Sequence, residues 1–271
     1  MRARAHRRPA GARRRVAVGA AALAAALVAA AGAALSIRSP SPSRPVAAPA
    51  GVPAPLTPAF VPGPARRLGS LRYISHWAPV KRAADVYAAA GGGAVITRLD
   101  TRTPEGTRNA VAVIRDGRPP GAWVHVRLPI LPNGTTGFVR RSALGGYQTV
   151  HTRLVVDLAT LRATLYRDGR VAFRAPVGVG APGWETPRGE FYVRNELTRY
   201  SSPAYGPVAF GTSARSPHAT DWPAGGYVGI HGTDAPQLIP GRVSHGCIRL
   251  RNPDVRALAR RMPVGTPVTI R

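Results

Sequence analysis

The sequence predicts a mainly β chain: two β modules with one or two short helices, led by an N-terminal transmembrane helix. Three observations point that way. Short apolar runs recur between turn dipeptides such as Asp116-Gly117, Asn133-Gly134 and Asp168-Gly169. One segment alone, opening at Asn252-Pro253, carries a full set of helix-start signals. Val16–Leu35 is a twenty-residue stretch without a charge, preceded by seven arginines.

Taken in order, residues 1–37 read as an export segment. Twenty apolar residues can span a bilayer as a helix, and the cluster from Arg2 to Arg15 would stay on the cytoplasmic side. Everything after Ile37 would then lie outside the cytoplasm, in the cell envelope. A cleaved signal peptide is the alternative, since Ala29-Ala30-Ala31 and Ala31-Gly32-Ala33 both offer small-residue cleavage sites. Residues 38–67 are rich in Pro, Ala and Ser, a composition that resists helix and sheet and behaves as a semi-extended linker.

Residues 68–148 form the first β module. Ala94–Thr97 and Ala110–Ile114 are strand candidates, Trp123–Leu128 alternates with period two, and Thr136–Val139 follows the turn at Asn133-Gly134. Residues 151–271 form the second. Strands are expected at Leu154–Leu158, Arg162–Tyr166, Val171–Val179, Gly189–Arg194, Tyr227–His231, Cys247–Leu250 and Pro267–Ile270. The helix has Asn252 as N-cap, Pro253 in its first position, and an apolar face of Val255, Leu258, Ala259 and Met262, ending before Gly265.

Charge narrows the partners. There are 38 basic and 12 acidic residues, and the net charge of +26 is spread as +11, +7 and +8 over residues 1–67, 68–150 and 151–271. A spread excess suits an anionic membrane surface or acidic wall polymers. No Lys/Arg stripe with interleaved aromatics is present, which argues against nucleic acid.

Cys247 is the sole cysteine, set in Ser244-His245-Gly246-Cys247-Ile248-Arg249 and preceded by His231-Gly232-Thr233. In an exported protein structural cysteines come in pairs, so a single one suggests a reactive thiol. A thiol of ordinary pKa, about 8.5, is only a few per cent ionised at neutral pH and needs a base to act as a nucleophile. From the residues alone either His231 or His245 could serve, because His245 and Cys247 would share a face of a strand. Zinc is a rival reading, with His231, His245 and Cys247 as ligands, but neither Cys-x-x-Cys nor His-Glu-x-x-His occurs. An inert core thiol is the bland alternative. Tyr205, Trp222 and Tyr227 precede the cysteine and could line a cleft or pack a core.

The region 151–271 closely resembles the L,D-transpeptidase (YkuD-type) catalytic domain. The resemblance rests on His231-Gly232 followed at the family's spacing by Ser244-His245-Gly246-Cys247. Val155-Val156-Asp157-Leu158, Val177-Gly178-Val179-Gly180 and Thr186-Pro187-Arg188-Gly189-Glu190-Phe191 agree in order. It implies a β-sandwich-like domain in which Cys247 is the nucleophile, His231 the base and the Gly232 carbonyl the group that orients the imidazole. Amides at His245, Gly246 and Cys247 would form the oxyanion hole, with Ser244 and Arg249 shaping the substrate site. The implied reaction attacks the L,D amide of a peptidoglycan tetrapeptide stem, releases D-alanine and passes the acyl group to a neighbouring stem amine. Water as acceptor would give an L,D-carboxypeptidase. No cofactor or metal is implied, and carbapenem-type inhibitors are expected to acylate the thiol. Residues 68–148 more loosely resemble a small bacterial SH3-like β-barrel, through Trp123–Leu128, Pro132-Asn133-Gly134 and Gly137-Phe138-Val139. A wall-binding protein with an unused site and a thiol redox sensor are the competing classes.

Overall fold

The computed structural model describes residues 74–117, 121–200, 202–218 and 226–271. The expected anchor at Val16–Leu35, the 38–67 linker and Trp222 lie outside the described residues. Among the described residues no helix is long and apolar enough to cross a membrane.

The first module contains β1 (Ser75–Pro79), β2 (Ala84–Ala89), β3 (Gly92–Leu99), β4 (Ala110–Asp116), β5 (Trp123–Arg127), β6 (Thr136–Arg140) and β7 (Gln148–Val150). They form one sheet in the order β3-β2-β6-β5-β4-β1-β7. Alternation sets its core: Val124 and Val126 on β5 are fully buried, as are Val86 and Val139 on the neighbouring strands β2 and β6. The strand order ends at β3 and β7, and the expected likeness to a small SH3-like barrel rests on the sequence.

The second module contains β8 (Thr152–Asp157), β9 (Arg162–Arg167), β10 (Arg170–Pro176), β11 (Gly178–Gly180), β12 (Gly189–Leu197), β13 (Ala209–Arg215), β14 (Tyr227–His231), β15 (Gly241–Ser244), β16 (Ile248–Arg249) and β17 (Pro267–Ile270), with one helix, α1 (Asn252–Ala259). The order is β10-β9-β8-β17-β12-β13-β14-β16-β11-β15. β12 changes partner along its length. Gly189–Tyr192 pairs with β17, and Val193–Leu197 pairs with β13 across a register shift between Val193 and Asn195. The two halves share one core, with Leu154, Leu165, Phe210, Ile230, Ile248 and Leu258 fully buried. Val255 and Leu258 carry the buried face of α1, as the apolar pattern requires.

Three local expectations differ from the structure. The run Val171–Val179 is two strands, broken at Val177, whose amide donates to Leu161 O instead of a ladder partner (2.9 Å). The strand expected over Cys247–Leu250 is only Ile248–Arg249, so Cys247 sits in the turn before it. Asn252 is the first residue of α1 and not its N-cap; its Oδ1 accepts the Thr233 amide (3.0 Å), leaving the helix without a side-chain cap.

The modules meet along a polar and aromatic seam. The Asn133 side chain bonds the backbone of Arg215 in both directions, Nδ2 to O at 2.8 Å and N to Oδ1 at 2.9 Å, and Tyr192 donates to Ala110 O (3.2 Å). Gly265 receives the Trp77 indole so closely that a Cβ there would lie 1.9 Å from Cδ1. That close approach, together with a φ of +87° in the turn after α1, explains the glycine.

Candidate active site

Parallel pairing of β14 with β16 places Ile230 beside Ile248 and His231 beside Arg249. One step back along each strand, Gly229 faces Cys247, and the Gly229 amide donates to Sγ (3.3 Å). Residues two apart on a strand share a face, so Gly229 and His231 point the same way. A methyl group built on Gly229 would lie 3.5 Å from His231 Cδ2 and 3.8 Å from Cys247 Sγ. The missing side chain therefore leaves a gap bordered by imidazole and thiol together.

His231 is 3% exposed and its Nδ1 is 2.6 Å from Gly232 O. A carbonyl only accepts, so Nδ1 carries the proton and Nε2 keeps its lone pair in the neutral ring. The Gly232 segment is held in turn by the Thr233–Asn252 bond. Burial drives the imidazole down to about 4; the Gly232 carbonyl opposes this and the Arg249 charge adds to it. Burial likewise pushes the Cys247 thiol up, offset in part by the Gly229 amide and the Arg249 charge. The resting pair is neutral thiol and neutral imidazole.

The turn bearing the cysteine is braced from both sides. Ser244 Oγ donates to Cys247 O (2.6 Å) and accepts the Gly246 amide (3.1 Å). Thr186 Oγ1 donates to Gly246 O and accepts the Gly180 amide, each at 2.9 Å. Gly246 adopts φ +112°, a value that glycine alone reaches easily. Its amide, expected among the oxyanion donors, donates to Ser244 Oγ in this geometry. Arg249 is half-buried and its Nε is buried without a hydrogen-bond partner. His245 is exposed, with its ring edge-on to Trp184 at 4.8 Å between centroids, so His231 is the imidazole that shares the Gly229 gap with Sγ.

A cleft of about 340 Å³ opens over Cys247 and His231. Tyr205 and Tyr227 line it, where core packing was the plainer expectation, and the Tyr205 ring lies 4.5 Å from the His231 ring. Among the described residues no group of three or more His, Cys, Asp or Glu could hold a metal ion.

The L,D-transpeptidase catalytic-domain family matches residues 151–270. YkuD of Bacillus subtilis, assigned as an L,D-transpeptidase, is 37% identical over 122 residues, covering 45% of this chain and 67% of that protein. The chain belongs to the L,D-transpeptidase family. YbiS of Escherichia coli, assigned to the same activity, is 33% identical over 156 residues, 51% of this chain and 50% of its own length. The chain thus spans about half of some relatives and two thirds of others. The solved catalytic domain of an Enterococcus faecium L,D-transpeptidase is 30% identical, covering 44% of this chain and 96% of that one, with a TM-score of 0.35. The match begins at residue 151, so the first module has its likeness to an SH3-like domain from sequence alone.

Within this family member, sequence reasoning missed several residues that build the site. Gly229 had a signal, since it stands two residues before His231 in a predicted strand. Thr186 lay within a quoted motif but was given no role. Asn252 was read for its helix position and not for its reach to Thr233. Glu105, which also lines the cleft, comes from the first module and had no local signal at all.

Proposed function

We propose that this family member is a peptidoglycan L,D-transpeptidase with Cys247 as nucleophile and His231 as base. The observation that carries the proposal is the convergence of His231 and Cys247 on the gap at Gly229, with Nδ1 fixed by Gly232. His231 Nε2 takes the thiol proton as Sγ attacks the carbonyl of the L,D amide between the third stem residue and D-alanine. The oxyanion forms near the cysteine-bearing turn, where the amides of Cys247 and His245 are the candidate donors, each worth about 3 kcal/mol in such sites. The C–N bond then breaks, His231 returns the proton to the departing amine, and a thioester remains on Cys247. An amine from a neighbouring stem attacks the thioester and gives its proton to His231; the C–S bond breaks, the thiolate regains that proton, and a crosslink between third-position residues is left. Water in place of the amine gives carboxypeptidase activity. Arg249, with its unpartnered Nε, suits a substrate carboxylate.

The same proposal places the enzyme outside the cytoplasm, held by Val16–Leu35 with its N-terminus inside, among anionic membrane or wall polymers that match its basic excess. Carbapenem-type compounds are expected to acylate Cys247. Incubation with a disaccharide-tetrapeptide, followed by mass spectrometry, tests the reaction. Loss of D-alanine with a crosslinked dimer is expected. Wall binding without any loss would favour a binding protein with an unused site.

A further inference from the structure

Among the described residues Glu105 is the one acidic residue on the lining of the cleft, and it belongs to the other module. The connection between β3 and β4 is a short arm with its own bonds: Arg102 bridges Arg108, Thr103 N–H donates to Thr107 O (2.9 Å), and Gly106 N–H donates to Thr103 O (2.8 Å). Glu105 sits at its tip. Its Oε1 accepts from Arg194 Nη2 (2.9 Å) and its Oε2 from Asn195 Nδ2 (3.1 Å). Asn195 also donates to Thr107 Oγ1 (2.9 Å), so the arm is fastened onto the register shift of β12.

Both partners of Glu105 lead to the cleft. Asn195 Oδ1 accepts the amide of Gly211 (3.0 Å), which lines the cleft. The Arg194 guanidinium lies 3.7 Å from the centre of the Tyr227 ring, which also lines it. Removing the carboxylate would leave Arg194, 1% exposed, without its counter-charge beneath that ring. A carboxylate offers about four acceptor positions, and Arg194, Asn195, the Thr103 hydroxyl and the Glu105 backbone amide all bear on them, so Glu105 acts on the cleft through the partners it holds.

We propose that the 101–109 arm is a working wall of the cleft and that Glu105 is a specificity-determining residue. It fixes the Arg194–Tyr227 and Asn195–Gly211 contacts and so sets the wall against which the peptide binds. The inference rests on the transpeptidase reading, and it assigns the first module a part in substrate recognition. Glu105 has no bond to His231 or Cys247, so its effect falls on binding and not on bond-making.

The test uses Glu105→Gln and Glu105→Ala in the full chain, with KM and kcat for D-alanine release from a disaccharide-tetrapeptide. The rate of Cys247 acylation by a compact carbapenem is measured alongside. Glu105→Ala is expected to raise KM about tenfold as the Tyr227 and Gly211 wall loses its fastening, with Glu105→Gln, which keeps an acceptor, raising it less. Expected kcat and acylation rates stay within about threefold of the unaltered enzyme, because the bond-making groups are untouched. Unchanged KM in both variants would overturn the proposal. So would a parallel fall of kcat, acylation and thermal stability, since that marks a merely structural arm. Absence of D-alanine release by the unaltered enzyme would contradict the transpeptidase reading itself, and the inference with it.

Discussion

Two polar clusters, one where Glu105 of the first module meets β12 and one where β14 meets the turn before β16, meet burial in opposite ways. At the seam, Glu105 and Arg194 are withdrawn from water as a pair. Burial alone would raise the Glu105 carboxyl, but the Arg194 charge, the Thr103 hydroxyl and the backbone outweigh it and hold the group below its ordinary range. At the Cys247 site burial, joined by the like charge of Arg249, lowers His231 to about 4, and at the thiol burial outweighs the Gly229 amide and the Arg249 charge, so the thiol rises. Charge survives burial only beside a partner. The seam keeps its ions, whereas the site, on the proposed reading, keeps neutral groups whose proton can move when a carbonyl arrives.

The largest effect that could break this comparison is on the nucleophile. Cys247→Ala is expected to lower D-alanine release by about 10,000-fold or more, measured by mass spectrometry. Next, Arg194→Met leaves Glu105 as an uncompensated, largely buried carboxylate; urea unfolding should show a loss of about 3–5 kcal/mol. The pH dependence of stability separates the clusters further. His231 is neutral in the folded state down to about 4, while an ordinary histidine takes its proton near 6.5. The unfolded chain therefore binds a proton first, and the contribution present above pH 6.5 is lost as pH falls through 4. A shift of this size corresponds to about 3 kcal/mol, and His231→Gln should flatten that part of the curve. The smallest effect concerns the brace of the turn. Ser244→Ala removes the bonds to Cys247 O and Gly246 N and should cost about 1–3 kcal/mol of folding stability.

A further measurement addresses the resting state of the thiol. Alkylation of Cys247 should be slow at neutral pH and still rising above pH 9, because burial raises the thiol. A plateau already reached near pH 6 would mean a resting thiolate–imidazolium pair and would reverse the contrast with the seam.

The same division explains what could be read from the sequence. The His231-Gly232 and Ser244–Cys247 elements are local strings, and the strands beside them follow from period-two patterns, so the candidate residues could be named before any coordinates. The residues alone left His231 and His245 open and the family resemblance favoured His231; the register of β14 against β16 adds that the strand bearing His231 runs beside the cysteine turn. Asn252 was misread because the residue type that caps helices also bonds distant amides, and spacing does not distinguish the two uses. The Gly246 amide was assigned to the oxyanion without the Ser244 bond that occupies it. Tyr205 and Tyr227 could not be divided between cleft and core by periodicity, since both surroundings are apolar. Glu105 was invisible because its partners Arg194 and Asn195 are brought to it by the docking of one module on another.

Rapid quenching of the enzyme with a disaccharide-tetrapeptide, followed by intact-mass and peptide-mapping spectrometry, tests the central claim most directly. The account predicts a transient adduct of the tetrapeptide less D-alanine, mapped to Cys247 as a thioester and absent from Cys247→Ala. D-Alanine release that persists in Cys247→Ala, or an adduct on any other residue, would contradict it.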